Sequence, residues 1–287
     1  MFVVAGITGH TGAAVANTLL AHGKPVRAIV RDAARAQSWA ARGVEIANGD
    51  VADPVSLTKA LSGAEAAYLL IPPSLQAADP VGDYTARSAA MRAAARAAKL
   101  PKLVFLSSMA AHHALGTGPI RGSHISEAVM ADAAPRVIFL RAAFFQENWQ
   151  SVFGLAAAQG IMPTFFANLD TTRDMVATAD IGRTAAELML DPKAPRVVEL
   201  AGPVPASARD AAAAMSAALG KPVQAVQPPR DQWVGILTGA GLGEAYAHAI
   251  AEMYDGINSG HVRFEGRTPL TYGKITLAQT MVTWPKG

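Results

Sequence analysis

The chain has 287 residues, 51% of them hydrophobic and only 16% charged, with a formal net charge of +3 at pH 7. That length suits one large α/β domain with a smaller lobe. The weak charge, spread without a basic stripe or interleaved aromatics, argues against nucleic-acid binding, and the absence of cysteine removes disulfides, thiolate metal sites and a cysteine nucleophile. No basic, cleavable leader precedes the first apolar segment, and no apolar run reaches the roughly 20 residues a membrane helix needs. The expectation is a cytoplasmic protein without membrane contact.

In chain order, short apolar runs at 2–5, 26–30, 44–47, 66–71, 103–106 and 137–140 read as buried strands. Between them, alanine-rich stretches at 11–22, 33–41, 54–61, 80–98 and about 123–131 read as helices. This alternation predicts a doubly wound, mostly parallel Rossmann sheet covered on both faces. Arg87, Arg92, Arg96 and Lys99 fall at helical spacing and read as a solvated helix face. The exposed faces of the 80–98 and 123–131 helices offer surfaces for a homodimer without requiring one. Past residue 150 the rhythm changes: turn-rich text surrounds a single strand at 197–200 and helices at 206–219 and 232–257. The expected division is a Rossmann domain over 1–150 with a return segment at about 176–200. Residues 151–175 and 201–287 would then form a smaller, mixed C-terminal lobe on the substrate side.

The chemistry begins at "GITGHTG", residues 6–12, between the first strand and the first helix. Gly6 permits a tight turn, Gly9 lets the backbone approach a pyrophosphate, and Gly12 lets helix and strand pack closely. With Thr8, His10 and Thr11 between them, they lead into a helix whose first amides face a bound phosphate. The second strand then ends on Arg31-Asp32. An acid reaching the ribose there would give NAD(H), whereas a guanidinium suits the 2′-phosphate of NADP(H). Arg31 favours NADP(H), with NAD(H) the alternative if Asp32 reaches the ribose instead.

These stretches, with "GVEIANGDVAD" at 43–53, "LVFLSSMAA" at 103–111, "LRAAFFQENW" at 140–149, "TADIGRTAAELMLDP" at 178–192 and "VELAGPVPASARDAAAAMSAALGKPV" at 198–223, resemble the NmrA-like group of atypical short-chain dehydrogenase/reductases. The resemblance implies further cofactor contacts: Asp50 and Val51 by the adenine, Ile71 and Pro72 along the ribose and nicotinamide side, and Ser107 near the nicotinamide ribose. Short-chain dehydrogenases acting on carbinols use a Tyr-x-x-x-Lys pair, in which lysine lowers the tyrosine pKa. Here Tyr68, Tyr84, Tyr246, Tyr254 and Tyr272 are followed four residues later by Pro72, Ser88, Ile250, Asn258 and Thr276. The pair is missing, and "GPIRGSHISEAVM" at 118–130 puts His124 and Glu127 in its region.

Two functions fit that departure. "HISE…LRAAFFQENW" resembles the NADPH:quinone oxidoreductase branch, which implies hydride transfer to a quinone-like or related electron-poor small molecule. Phe144, Phe145 and Trp149 would wall the acceptor site, Asn148 would donate a hydrogen bond, and His124 or solvent would supply the proton. The alternative is a non-catalytic NAD(P)-binding redox sensor acting through protein partners. No metal site is expected, since adjacent histidines such as His112 and His113 point apart and no second ligand set accompanies them.

Overall fold

Eight parallel strands form the central sheet of the computed structural model, which describes residues 1–284. Strands β1 (Phe2–Ala5), β2 (Val26–Val30), β3 (Glu45–Asn48), β4 (Ala66–Leu69), β5 (Lys102–Ser108) and β6 (Arg136–Ala142) alternate with helices α1 (His10–Ala21), α2 (Gln37–Ala40), α3 (Pro54–Leu61), α4 (Pro80–Ala97) and α5 (Ile120–Met130). Then come β7 (Phe144–Phe145), α6 (Gln150–Gln159), β8 (Ile161–Pro163), β9 (Met175–Val176), α7 (Thr178–Leu190), β10 (Val197–Ala201), α8 (Ala208–Leu219) and β11 (Gln224–Val226). Helices α9 (Trp233–Gly239) and α10 (Glu244–Asn258), strand β12 (Thr271–Tyr272) and helix α11 (Leu277–Met281) complete the described chain. The sheet order is β12-β10-β6-β5-β4-β1-β2-β3, so the winding reverses between β1 and β4. A crevice opens at that switch point, beyond the carboxyl ends of the strands.

The strands are apolar throughout because both faces are covered. On β1, Phe2 and Val4 join one core, while Val3 and Ala5 join the other. The same alternation sends Tyr68 of β4 and Leu140 of β6 to the first core, and Leu69 and Phe139 to the second, as the two-residue period of a strand requires. Helices α1 and α7 pack over one face, and α3, α4 and α5 cover the other. A third cluster, including Trp149, Phe153, Phe166, Met215 and Trp284, fills the lobe around α6, α8 and α11.

Several expectations are revised. The strand near 197–200 is not isolated: β10 pairs with β6, and β12 adds an outermost strand beside it. The 232–257 helix is two helices, broken where Gly241 adopts φ +94° and Gly243 precedes α10. The 33–41 segment opens as a 3-10 turn over Ala33–Ala36 before α2. Strand β4 ends at Leu69 rather than residue 71, since Pro72 and Pro73 follow and proline cannot donate to a ladder. Among the described residues, no helix is long and apolar enough to cross a membrane.

Candidate functional site

A cleft of about 480 Å³ lies at the switch point, across the ends of β1 to β4. Its floor is the 6–12 turn. Gly6 sits at φ +70°, a left-handed conformation that only glycine adopts cheaply, and its carbonyl accepts from Gly9 N at 2.9 Å. A Cβ on Gly12 would overlap the carbonyls of Gly6 and Ala5, so Gly12 lets α1 start directly against β1. Helix α1 has no side-chain cap and no acid in its first turn. Its first amides therefore present the positive end of the helix to the cleft, which Gly9, His10 and Thr11 line.

Arg31 reaches the same cleft, and among the described residues it takes part in no ion pair. The neighbouring acid is occupied otherwise: Asp32 Oδ1 accepts from Ala34 N at 2.9 Å and caps the 3-10 turn. The strand end thus presents a free guanidinium to the cleft, while the carboxylate of Asp32 is not among the lining groups. Asp50 and Val51 form the far wall, with Asp50 Oδ1 accepting from Ala52 N at 2.9 Å. Thr8, Pro72, Phe145 and Asn148 also line the cleft.

The cleft continues into a smaller cavity of about 250 Å³, the two sharing Thr11, Leu70 and Phe145. Ile71 and Ser107 line this second part. Ser107 Oγ donates to Glu127 Oε1 at 2.6 Å, leaving its lone pairs free to accept. Glu127 is held in turn by Arg141, whose Nε and Nη2 donate to it at 2.9 and 2.6 Å. Arg141 Nη1 also donates to Glu265 Oε2 at 2.7 Å, and Glu199 accepts from the backbone amides of Glu265 and Gly266. The hydrogen bond from Arg141 holds the Glu265 carboxyl below its usual range, and the pairing with Glu127 raises Arg141 further. The group next to Ser107 is therefore an ion-pair network rather than a tyrosine. Tyr84 is the one tyrosine lining the smaller cavity. Burial pushes its phenol up, opposite to the lowering that a neighbouring lysine would produce.

Three expected positions lie elsewhere. His124 lines neither cavity, although its neighbour Ser123 lines the smaller one. Its Nδ1 is 2.8 Å from Ala111 O, so Nδ1 carries the proton and Nε2 can donate only as imidazolium. Trp149 is 5% exposed and packs in the lobe core against Phe144 and Phe166; it is a packing residue. Phe144 faces a separate cavity, because successive residues of β7 point to opposite sides.

Other cleft residues escaped the sequence reading. Arg87 is half-buried and lines the cleft, where Nε donates to Asp83 Oδ1 at 3.0 Å, Nη1 to Pro72 O at 3.1 Å, and Nη2 to Ser74 Oγ. The solvated face holds for Arg92 and Arg96, which pair with Asp132 on the surface, and for Lys99, exposed just past the end of α4. Glu147 and Thr178 also line the cleft, and Glu147 accepts from Thr178 N at 2.9 Å and from its hydroxyl at 2.6 Å. Glu147 stands beside Asn148 in the quoted "FFQENW" stretch; that adjacency was the only signal available.

Over 258 residues, the chain is 29% identical to the NAD(P)H azoreductase of Xenophilus azovorans, covering 88% of this chain and 86% of that protein. It is 27% identical over 275 residues to quinone oxidoreductase 2 of Escherichia coli, covering 93% and 92%. Among solved structures, the NADPH complex of an NADPH-dependent quinone oxidoreductase from E. coli superposes with a TM-score of 0.78 at 25% identity, covering 98% of both chains. The NADP(H) complex of Citrobacter sp. triphenylmethane reductase shares the fold, with a TM-score of 0.80 at 23% identity over 98% of this chain and 99% of that one. The NmrA-like family matches residues 1–265. On that match, with the open glycine turn at the switch point of the sheet, the chain belongs to the NmrA-like family.

Proposed function

We propose that the protein is an NADPH-dependent reductase that passes hydride to a quinone-like, electron-poor acceptor. The observation that carries the cofactor assignment is the end of β2, where Arg31 is free and lines the cleft while Asp32 does not line it and caps Ala34 N. The residues fit a dinucleotide phosphate: the uncapped start of α1 takes the pyrophosphate, Arg31 takes the 2′-phosphate, and Asp50 and Val51 flank the adenine. The relatives that use NAD(P)H or NADPH support the same reading.

When bound, the reduced nicotinamide supplies the hydride, and NADPH, a proton and quinone become NADP⁺ and quinol. Ile71, Pro72 and Ser107 bound the nicotinamide end of the cleft, where Ser107 Oγ donates its own proton to Glu127 Oε1 and keeps its lone pairs for a hydrogen bond from the cofactor ribose. Phe145 and Asn148 stand on the acceptor side. The chain places no lowered tyrosine at this end, so it suits an acceptor whose reduced oxygen is a weak base and is protonated from solvent. His124, turned to Ala111 and outside both cavities, is not needed for that step.

Purified protein mixed with NADPH and 1,4-benzoquinone should consume the reduced cofactor well above the rate without protein. Tight NADPH binding with no turnover across quinones and azo compounds would instead mark a redox sensor.

A further inference from the structure

A cavity of about 430 Å³ lies beside the cleft and plays no part in cofactor binding as described above. Its volume is within the roughly 300–1,000 Å³ of small-molecule sites. Two consecutive pairs straddle the boundary: Ser108 lines the smaller nicotinamide-side cavity and Met109 this one, while Phe145 lines the cleft and Phe144 this one. The two spaces therefore adjoin along Ser108–Met109 and Phe144–Phe145.

The lining is two-sided. Met109 and Phe144 give it an apolar side, backed by the buried Phe166, whose ring centroid is 5.5 Å from that of Phe144 at an interplanar angle of 60°. Arg173 and Arg263 also line it. Arg173 lies with its guanidinium carbon 4.4 Å from the Phe166 ring centroid and donates to Thr171 O at 2.8 Å, and Arg263 donates to Gly260 O at 2.9 Å. Neither forms an ion pair among the described residues. Burial without an anion lowers the Arg173 pKa from its ordinary value. The one carboxylate in the lining, Asp174, is half-buried, and burial pushes its carboxyl up. Two cations thus stand against one acid, a half-buried guanidinium lacks a counter-charge, and a charge left so is costly unless a ligand supplies the partner.

Resting on the reductase reading above, we propose that this cavity seats the acceptor and that Arg173 and Arg263 select a flat conjugated acceptor bearing an anionic substituent such as a sulfonate or carboxylate. The ring system lies against Met109 and Phe144, and the anionic group pairs with the guanidiniums, with Asp174 opposing it.

The test compares 1,4-naphthoquinone with its 2-sulfonate, in steady-state reduction and in equilibrium binding to protein saturated with NADP⁺. Taking the ratio of KM values for one fixed pair of molecules cancels their different intrinsic reactivities between variants. The chain has no cysteine for a quinone to alkylate. Arg263→Met and Arg173→Met should each shift the ratio against the sulfonate by about tenfold, the order expected for one charge-assisted contact. Asp174→Asn should shift it the other way, and Arg173→Lys, which keeps the charge over Phe166, should hold most of the preference even if Arg173→Met folds poorly. Ratios that do not move in the Arg263 and Asp174 variants overturn the proposal while leaving the reductase reading intact. Reduction of neither quinone would contradict the reductase reading, and with it the acceptor assignment.

Discussion

At the scale of single residues, the cleft depends on what is absent from side chains as much as on what is present. Gly12 holds α1 against β1 because a Cβ there would strike two carbonyls. Gly12→Val should lower the melting temperature and weaken NADPH binding by more than tenfold, read by thermal shift and by titration of cofactor fluorescence; unchanged binding would mean the turn does not carry the pyrophosphate. The glycines were legible because their requirement is local and steric. Arg87 and Trp149 were not. Arg87 shares helical spacing with Arg92 and Arg96, and only the loop carrying Pro72 and Ser74 turns it into the cleft. Trp149 sits in the same short text as Asn148, yet one lines the cleft and the other fills the lobe core. Which neighbour faces a cavity is decided by packing from elsewhere in the chain.

At the scale of elements, the ionic network beneath Ser107 joins α5, β6 and β10 to the segment ahead of β12. Arg141 is 7% exposed and serves Glu127 and Glu265, with Glu199 4.0 Å away. Removing one side of such a buried set strands its partners, which costs about 3–5 kcal/mol. Arg141→Met should therefore lower the melting temperature by roughly 10 °C, given ~2–4 °C per kcal/mol for chains of this order of size; a drop of only a degree or two would contradict the account. The pair also makes stability depend on pH. Glu265 is held below its ordinary value of 4.5 by Arg141, so the contribution is complete above that value and fades as the pH falls below it. The wild type should lose stability over that acid range, and Arg141→Met should show less of that loss. The strands and helices of the first half were readable from apolar runs and alanine-rich intervals. The two-residue β12 carries no such signal, because two residues make no apolar run and its partner β10 lies far back in the chain, with Leu200 opposite Thr271.

At the scale of the whole molecule, the last elements are tied back onto the sheet domain through α7. Asp180 is 1% exposed; its Oδ2 accepts from Lys274 N at 2.7 Å and Ile275 N at 2.8 Å, and its Oδ1 accepts from Arg183 Nη2 at 2.8 Å. Gln146, just ahead of Glu147 of the cleft, donates to Ile275 O at 3.1 Å. One segment thus anchors both the lobe and the cleft wall. Asp180→Ala removes two backbone hydrogen bonds to a charged acceptor, at about 1.5–3 kcal/mol each. Amide exchange over residues 271–281 should then accelerate far more than exchange in β1 or β4, and uniform acceleration would contradict the clamp. The doubly wound class was legible because alternation of elements is a property of the whole sequence. The lobe was not, because its joints, such as Asp180 to Lys274, span 94 positions.

The central claim is tested most directly by kcat/KM for NADPH and for NADH with one quinone, in the wild type and in Arg31→Ala. The account predicts turnover with a clear NADPH preference, and about a tenfold or greater loss of that preference in the variant, the scale of a charge-assisted contact to the 2′-phosphate. Equal use of the two cofactors by the wild type, or a preference that survives loss of Arg31, would contradict it.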